Sequence, residues 1–133
     1  MKIAITGHSS GIGASIHDKL AGDLDEVRGY SKSNGWNIAE DDGDKIINEL
    51  IDFDPDVVFN NAYYPAIQNK ILTTLLTKWK DASGKVIINT GSISGWLNED
   101  MGVDMNDTYV SDKRHLGQIC INNSFDVFTP KAN

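Results

Sequence analysis

The sequence is poor in the residues that build disulfide frameworks, metal centres and membrane segments. It holds one cysteine, Cys120, which excludes an internal disulfide, and three scattered histidines, which supply no metal-ligand cluster. Cations are scarce as well. Twelve Lys and Arg face nineteen Asp and Glu, a formal net charge of −7, the wrong sign for nucleic acid or an anionic membrane surface. No apolar run approaches the roughly 18 to 20 residues of a membrane span. Linkers, internal repeats and low-complexity stretches are missing, and 133 residues suit one domain spanning 1–133. The chain opens into Lys2-Ile3-Ala4-Ile5-Thr6, which reads as structure rather than a signal peptide. The expectation is a soluble, cytoplasmic, single-domain protein.

What is present alternates between two periodicities. Ile3 to Thr6 is a short β-rich run that ends at Gly7, and Ile12, Ile16 and Leu20 then recur at helical spacing. Glu26 to Ser31 predicts a second strand, stopped by Ser33-Asn34-Gly35, and Trp36-Asn37-Ile38 predicts a short third. Ile46, Ile47, Leu50 and Ile51 mark a helix over 44–53 that Asp54-Pro55-Asp56 breaks. Val57-Val58-Phe59 and Val86-Ile87-Ile88 are continuous apolar runs, as in parallel strands buried on both faces. Between them Ile67, Ile71, Leu72, Leu75, Leu76 and Trp79 form a broad apolar stripe on a long helix. Residues 109–121 predict a further helix, and Phe125-Asp126-Val127-Phe128 a last strand. This alternation favours an α/β fold with an open parallel sheet of about six strands, helices on both faces, and the first and fourth strands side by side at the centre.

Two constellations carry chemistry. The first turn reads Thr6-Gly7-His8-Ser9-Ser10-Gly11-Ile12-Gly13. Glycines there permit a tight turn and close approach of a pyrophosphate, and the helix start offers unpaired amides and its positive dipole end. The second is Tyr109-Val110-Ser111-Asp112-Lys113, in which phenol and ammonium share one helix face. A nearby cation favours a phenolate and so eases proton transfer. Ser92 ends the strand before that helix, and the glycine turn, Asn60-Asn61-Ala62, Ser92 and Tyr109 are all expected at the carboxyl edge of the sheet.

In that order, Thr6-Gly7-x-x-x-Gly11-Ile12-Gly13, Asn60-Asn61-Ala62, Ile88-Asn89-Thr90-Gly91-Ser92 and Tyr109-x-x-x-Lys113 resemble the short-chain dehydrogenase/reductase family in its most compact form. The resemblance covers nearly the whole chain. It implies a Rossmann-like, doubly wound dinucleotide-binding domain with strand order 3-2-1-4-5-6. It also implies an oxidoreductase acting on a small-molecule carbonyl or alcohol. Tyr109 would be the proton donor or acceptor and Ser92 would hydrogen-bond the substrate oxygen. Lys113 would favour the phenolate and hold the nicotinamide ribose, and Asn69 is the nearest candidate for the family's fourth residue. Gly7, Ser9, Ser10, Gly11, Ile12, Gly13, Asn61 and Ala62 would line the cofactor, with Asn37 and Ile38 at its adenine. At the end of the second strand Tyr30-Ser31-Lys32-Ser33 has no acid and one cation. Ser31 and Lys32 could hold a 2′-phosphate, which favours NADP(H) over NAD(H).

The sequence also departs from the family. Tyr63 stands where glycine is usual. The stretch 96–108 carries Glu99, Asp100, Asp104 and Asp107 and no cation, either as a solvated loop or as a partial lid that disfavours anionic substrates. Pro130-Lys131-Ala132-Asn133 replaces the Pro-Gly with which the family's substrate-binding segment usually begins. Leu72, Leu75, Leu76 and Trp79, together with the Tyr-Lys helix, are expected to be exposed and to form the interface of a homodimer or homotetramer. The alternative to an enzyme is an NAD(P)-binding sensor or partner-binding module without catalysis.

Overall fold

The computed structural model describes residues 1–22 and 26–128, with side chains to Asn123. Pro130 and its neighbours therefore lie outside the described residues. The chain divides into two compact units, Met1–Thr90 and Gly91–Asn133.

In the first unit the elements run β1 (Lys2–Thr6), α1 (Gly11–Leu20), β2 (Glu26–Tyr30), α2 (Asp44–Phe53), β3 (Val57–Asn60), α3 (Ile67–Lys78) and β4 (Val86–Asn89). The four strands form one parallel sheet in the order β2-β1-β3-β4. Ile5 lies opposite both Gly29 and Phe59, and Asn60 lies opposite Asn89. At the centre Ala4, Ile5 and Val58 are fully buried, but the expectation of burial on both faces fails at Val86-Ile87-Ile88, because β4 is an edge strand and leaves Val86 and Ile88 exposed.

One continuous core joins the sheet to α2 and α3. Ala4 and Val58 pack with Ile46, Ile47, Leu50 and Phe53 of α2 and with Ile67, Ile71 and Leu75 of α3. Each of these side chains larger than alanine contributes about 1.5–3 kcal/mol by leaving water. The helix α2 stops at Asp54, whose φ of +51° is left-handed while its N–H still bonds to Leu50 O. Tyr30 closes the other end of this core. Its ring meets Trp36 edge-on at 5.4 Å and its hydroxyl donates to Glu49 at 3.1 Å. Burial and the Glu49 carboxylate push its phenol above the ordinary range, so Tyr30 serves the core.

The second unit holds two short 3-10 turns, Ile93–Gly95 and Glu99–Met101, and the helix α4 (Thr108–Phe128).

Four expectations are corrected here. The sheet has four strands, not six. Trp36-Asn37-Ile38 is not a strand: Asn37 Oδ1 accepts the Ala39 N–H at 3.0 Å and turns the backbone, while Trp36 and Ile38 pack onto the core. Phe125-Asp126-Val127-Phe128 continues α4. No Gly or Pro interrupts the chain between Gln118 and Phe128. Back-bonds from Asn123 Nδ2 to Ile119 O (2.8 Å) and Gln118 Nε2 to Asn122 Oδ1 (3.4 Å) carry the helix through its polar stretch. The α3 stripe is not an exposed surface either, because Leu72, Leu75 and Trp79 are buried by the sheet-facing breadth of an amphipathic helix.

Two glycines in the first turn separate steric from conformational cost. A Cβ on Gly13 would lie 1.9 Å from Gly7 O, whereas one on Gly11 meets nothing within 4 Å but faces a φ of +54°. Gly13→Ala is expected to cost at least about 3 kcal/mol and Gly11→Ala about 1–2 kcal/mol, measured by denaturant titration.

Candidate functional site

The carboxyl ends of β1, β3 and β4 are locked by a lattice of side-chain hydrogen bonds. Thr6, fully buried at the end of β1, accepts the N–H groups of Asn61 and Ala62 on its Oγ1, each at 3.0 Å. Its hydroxyl donates to Phe59 O at 3.4 Å. This one side chain therefore ties the glycine turn to the segment that follows β3. Asn61 Nδ2 donates back to Gly7 O at 3.4 Å, and Thr90 Oγ1 donates to Asn61 Oδ1 at 2.8 Å. Beneath them Asn60 Nδ2 donates to Asn89 Oδ1 (2.9 Å) and Gln68 O (3.0 Å). Gln68 Nε2 donates to Asn60 O (2.8 Å) and Thr90 O (3.1 Å). Ala66, which leads into α3, is held at a left-handed φ of +67°, a strained conformation of the kind found at functional loops.

Above this lattice the turn is open. Ser9, Ser10, Gly11 and Ile12 are exposed and Gly13 is buried. The first turn of α1 carries no acid and Ser10 makes no side-chain cap bond, so its amides face outward with the dipole's positive end. His8 lies over Gly29, where a Cβ would come within 2.1 Å of its ring, and its centroid is 5.0 Å from that of His17. Burial first, and His17 second, hold His8 below the ordinary histidine range, while a backbone bond to Tyr30 opposes them.

The residues expected to select the cofactor form a compact turn after β2. Asn34 Oδ1 accepts the Ser31 N–H at 3.0 Å, Asn34 Nδ2 donates to Gly29 O at 2.7 Å, and the hydroxyls of Ser31 and Ser33 are 2.5 Å apart. Lys32 is exposed at its tip. Asn37 and Ile38 are half-buried in the following turn, and Tyr63 is half-buried after Ala62. Asn69 is buried on α3.

Ser92, Tyr109 and Lys113 all belong to the second unit. Ser92 caps the 3-10 turn by accepting the Ser94 N–H at 3.3 Å, with the two hydroxyls 2.8 Å apart. Gly95 presses onto α4, since a Cβ there would be 3.0 Å from the backbone of Lys113. Trp96 follows one turn on, its ring 3.0 Å from the Cβ position of Gly117. Arg114 Nη2 donates to Leu97 O and to Met105 Sδ. The segment 95–97 thus runs along the α4 stripe that bears Tyr109, Lys113 and Gly117. Lys113 Nζ sits 5.5 Å from the Tyr109 ring centroid. Lys113 is 4 % exposed and Tyr109 40 %. Burial pulls the Lys113 ammonium below its ordinary range, and the Asp112 carboxylate opposes that. The Lys113 ammonium thus faces the aromatic ring of Tyr109.

Gln68 was not singled out from the sequence, and Thr6 and His8 entered only as members of the turn motif, with no role of their own. Thr6 could have been found from a hydroxyl at the last residue of an otherwise apolar strand. Gln68 leaves no such trace, because its partners lie on strand ends 8 and 22 residues away. Among the described residues no group of His, Cys, Asp and Glu could hold a metal, and no helix is long and apolar enough to cross a membrane.

Thr6→Val keeps the shape of the side chain but removes the acceptor of two amides. It is expected to destabilise the protein by about 2–4 kcal/mol, read from chemical denaturation, and Thr6→Ser should recover most of the loss. Comparison with protein families, with curated proteins and with solved structures finds no match to this chain.

Proposed function

We propose that the chain is an NADP(H)-dependent oxidoreductase of the short-chain dehydrogenase/reductase type that interconverts a carbonyl compound and its alcohol. The observation that carries this reading is the pairing of Tyr109 with buried Lys113, Nζ to ring centroid 5.5 Å, on the helix stripe that the Ser92 turn packs against. The turn at 7–13 supports it from the first unit: outward amides, an acid-free helix start and glycine backbone suit the phosphates of a dinucleotide. Ser31 and Lys32 suit a 2′-phosphate. A Rossmann-like, doubly wound sheet with helices on both faces belongs to the same reading.

In this mechanism the Tyr109 hydroxyl gives its proton to the substrate oxygen, and the Lys113 ammonium stabilises the phenolate left behind. The Ser92 hydroxyl donates to the same oxygen and polarises the carbonyl. When bound, the nicotinamide supplies the hydride. Asn69 is the candidate for the fourth residue of this reading. The assembly belonging to this reading is a homodimer or homotetramer. Its surface is not that of α3; Val86 and Ile88 on the edge strand β4, 49 % and 46 % exposed, support association instead.

A second reading, a dinucleotide-binding module without turnover, is favoured by Tyr63 in the place of the family's glycine. The two readings part on one variant. Tyr109→Phe is expected to lower turnover by at least about a thousandfold, as loss of a general acid does, while NADPH affinity by fluorescence titration stays within about twofold. NADPH should bind at least about tenfold more tightly than NADH, or about 1.4 kcal/mol. Binding without turnover in the unmodified protein over a broad carbonyl panel supports the second reading, and unchanged turnover in Tyr109→Phe removes the first.

A further inference from the structure

The sheet of the first unit has two unlike edges. At one, β2 carries Glu26 and Arg28, paired at 3.2 Å, and charge on an edge discourages a further strand. At the other, β4 reads Val86-Ile87-Ile88-Asn89, and no charged residue or proline occurs from Val86 to Asn98. Its register with β3 runs without a bulge. Lys85 does not guard this edge, because its ammonium is bonded to Asp54 Oδ1 at 2.8 Å and lies over the Trp79 ring. Phe125 to Phe128, the strand expected last in the sheet, belongs to α4, and among the described residues β4 pairs with β3 alone.

Backbone direction at β4 follows from two bonds. The N–H groups of Val86 and Thr90 donate to Asp56 O and Asn60 O, at 2.9 and 3.3 Å. Alternate residues 86, 88 and 90 therefore turn their backbone polar groups toward β3, and Ile87 turns its N–H and C=O outward. Side chains obey the same alternation. Ile87 packs against the core that α2 and α3 cover, whereas Val86 and Ile88 share the other face with Ile3, Ile5, Val57 and Phe59. Exposure rises across that face, from buried Ile3 and Ile5 through half-buried Val57 and Phe59 to exposed Val86 and Ile88.

We propose that β4 pairs antiparallel with β4 of a second copy about a two-fold axis through Ile87. The two Ile87 residues exchange both N–H···O bonds, and Val86 of each copy stands beside the partner's Ile88 on one face. An isologous contact sets each group against its own copy. A chain of net charge −7 therefore meets itself most easily where charge is absent, and β4 offers no charge by which to select a foreign strand. The four residues of β4 bury less area than a standard interface, about 800 Å² per partner, so the dimer is weak, with a Kd of about 1–100 µM. The inference rests on the oxidoreductase reading only for its homodimer; it needs neither cofactor nor turnover, so the two fail separately.

Sedimentation velocity of the full chain from about 1 to 500 µM should show a reversible monomer–dimer equilibrium. Val86→Lys and Ile88→Glu, at exposed positions and with the far-UV circular dichroism of the unmodified protein, should each weaken the dimer at least about tenfold. Mixed one to one, the two variants should associate at least about tenfold more tightly than either alone, because the introduced ammonium and carboxylate then face each other. Hydrogen exchange of the unmodified chain supplies a measurement free of substitutions. Protection of the Ile87 amide should rise at least about fivefold over the same concentrations, while Val86 and Ile88, whose amides face β3, change little. A chain that is monomeric at the highest concentration overturns the inference, and the edge is then one for a strand of a different protein or for none. So does a dimer that both variants leave intact, a mixture no tighter than its components, or a dimer in which the Ile87 amide gains no protection. A chain that dimerises in this way but turns over no carbonyl compound overturns the oxidoreductase reading alone.

Discussion

The first unit depends on one buried hydroxyl. Thr6 sits where β1 ends, and its Oγ1 takes two successive backbone amides from the chain leaving β3. The Asn61 N–H also reaches Phe59 O at 3.0 Å, so it is chiefly the Ala62 amide that would lose its acceptor in a half-buried place without Thr6. Once both amides are bonded, Asn61 is aligned to reach Gly7 O and to receive Thr90 Oγ1. Glycine at 7 and at 13 then becomes obligatory, because the backbone of the turn, the helix start and the Asn61 amide occupy the space a side chain would need. The open turn at 9–12 is the outward side of that constraint. It is rigid beneath and exposed above, a combination that favours ligand binding over packing.

The second unit uses a different device. Lys113 is buried on α4 although burial opposes its charge. A buried ammonium is a cost that apolar replacement would remove. Lys113 lies one helical turn from a half-exposed tyrosine, on the part of the helix against which Gly95 of the serine-capped 3-10 turn packs. This is why the Tyr109–Lys113 pair, more than the glycine turn, carries the functional reading.

Much of this was legible in the sequence, and what was not has physical causes. The central strands could be read because parallel strands covered on both faces are written as uninterrupted apolar runs, and Ile3 to Ile5 and Val57 to Phe59 are such runs. The helices 44–53 and 67–78 could be read from their period. Trp36-Asn37-Ile38 misled because two large apolar residues around a polar one have strand spacing, while the Asn37 side chain closes a turn that no periodicity reports. Phe125 to Phe128 misled in the same way, since alternation over four residues also fits a helix whose polar stretch is held by i, i+4 side-chain bonds. Leu72, Leu75 and Trp79 looked like a surface for a partner because breadth of stripe does not say which part of it faces the sheet. At the candidate site, the glycines, Asn61, Ser92, Tyr109 and Lys113 stood out by residue type and spacing. The interactions that hold Asn61 and the glycine turn, Thr6 to the amides of 61 and 62 and Gln68 across two strand ends, are long-range and pass through backbone atoms, which the sequence does not spell out.

The central claim is that the turn tied down by Thr6 is a dinucleotide phosphate site. Backbone amide NMR of the isotope-labelled full chain, titrated with NADP⁺ and in parallel with inorganic phosphate, tests it most directly. The account requires saturable NADP⁺-dependent shifts at the amides of Ser9 through Gly13 and of Ser31 through Ser33, with smaller shifts at Asn61 and Ala62 and weaker effects of phosphate at the first group. Saturable binding with those amides unmoved, or no binding at millimolar NADP⁺, would contradict it.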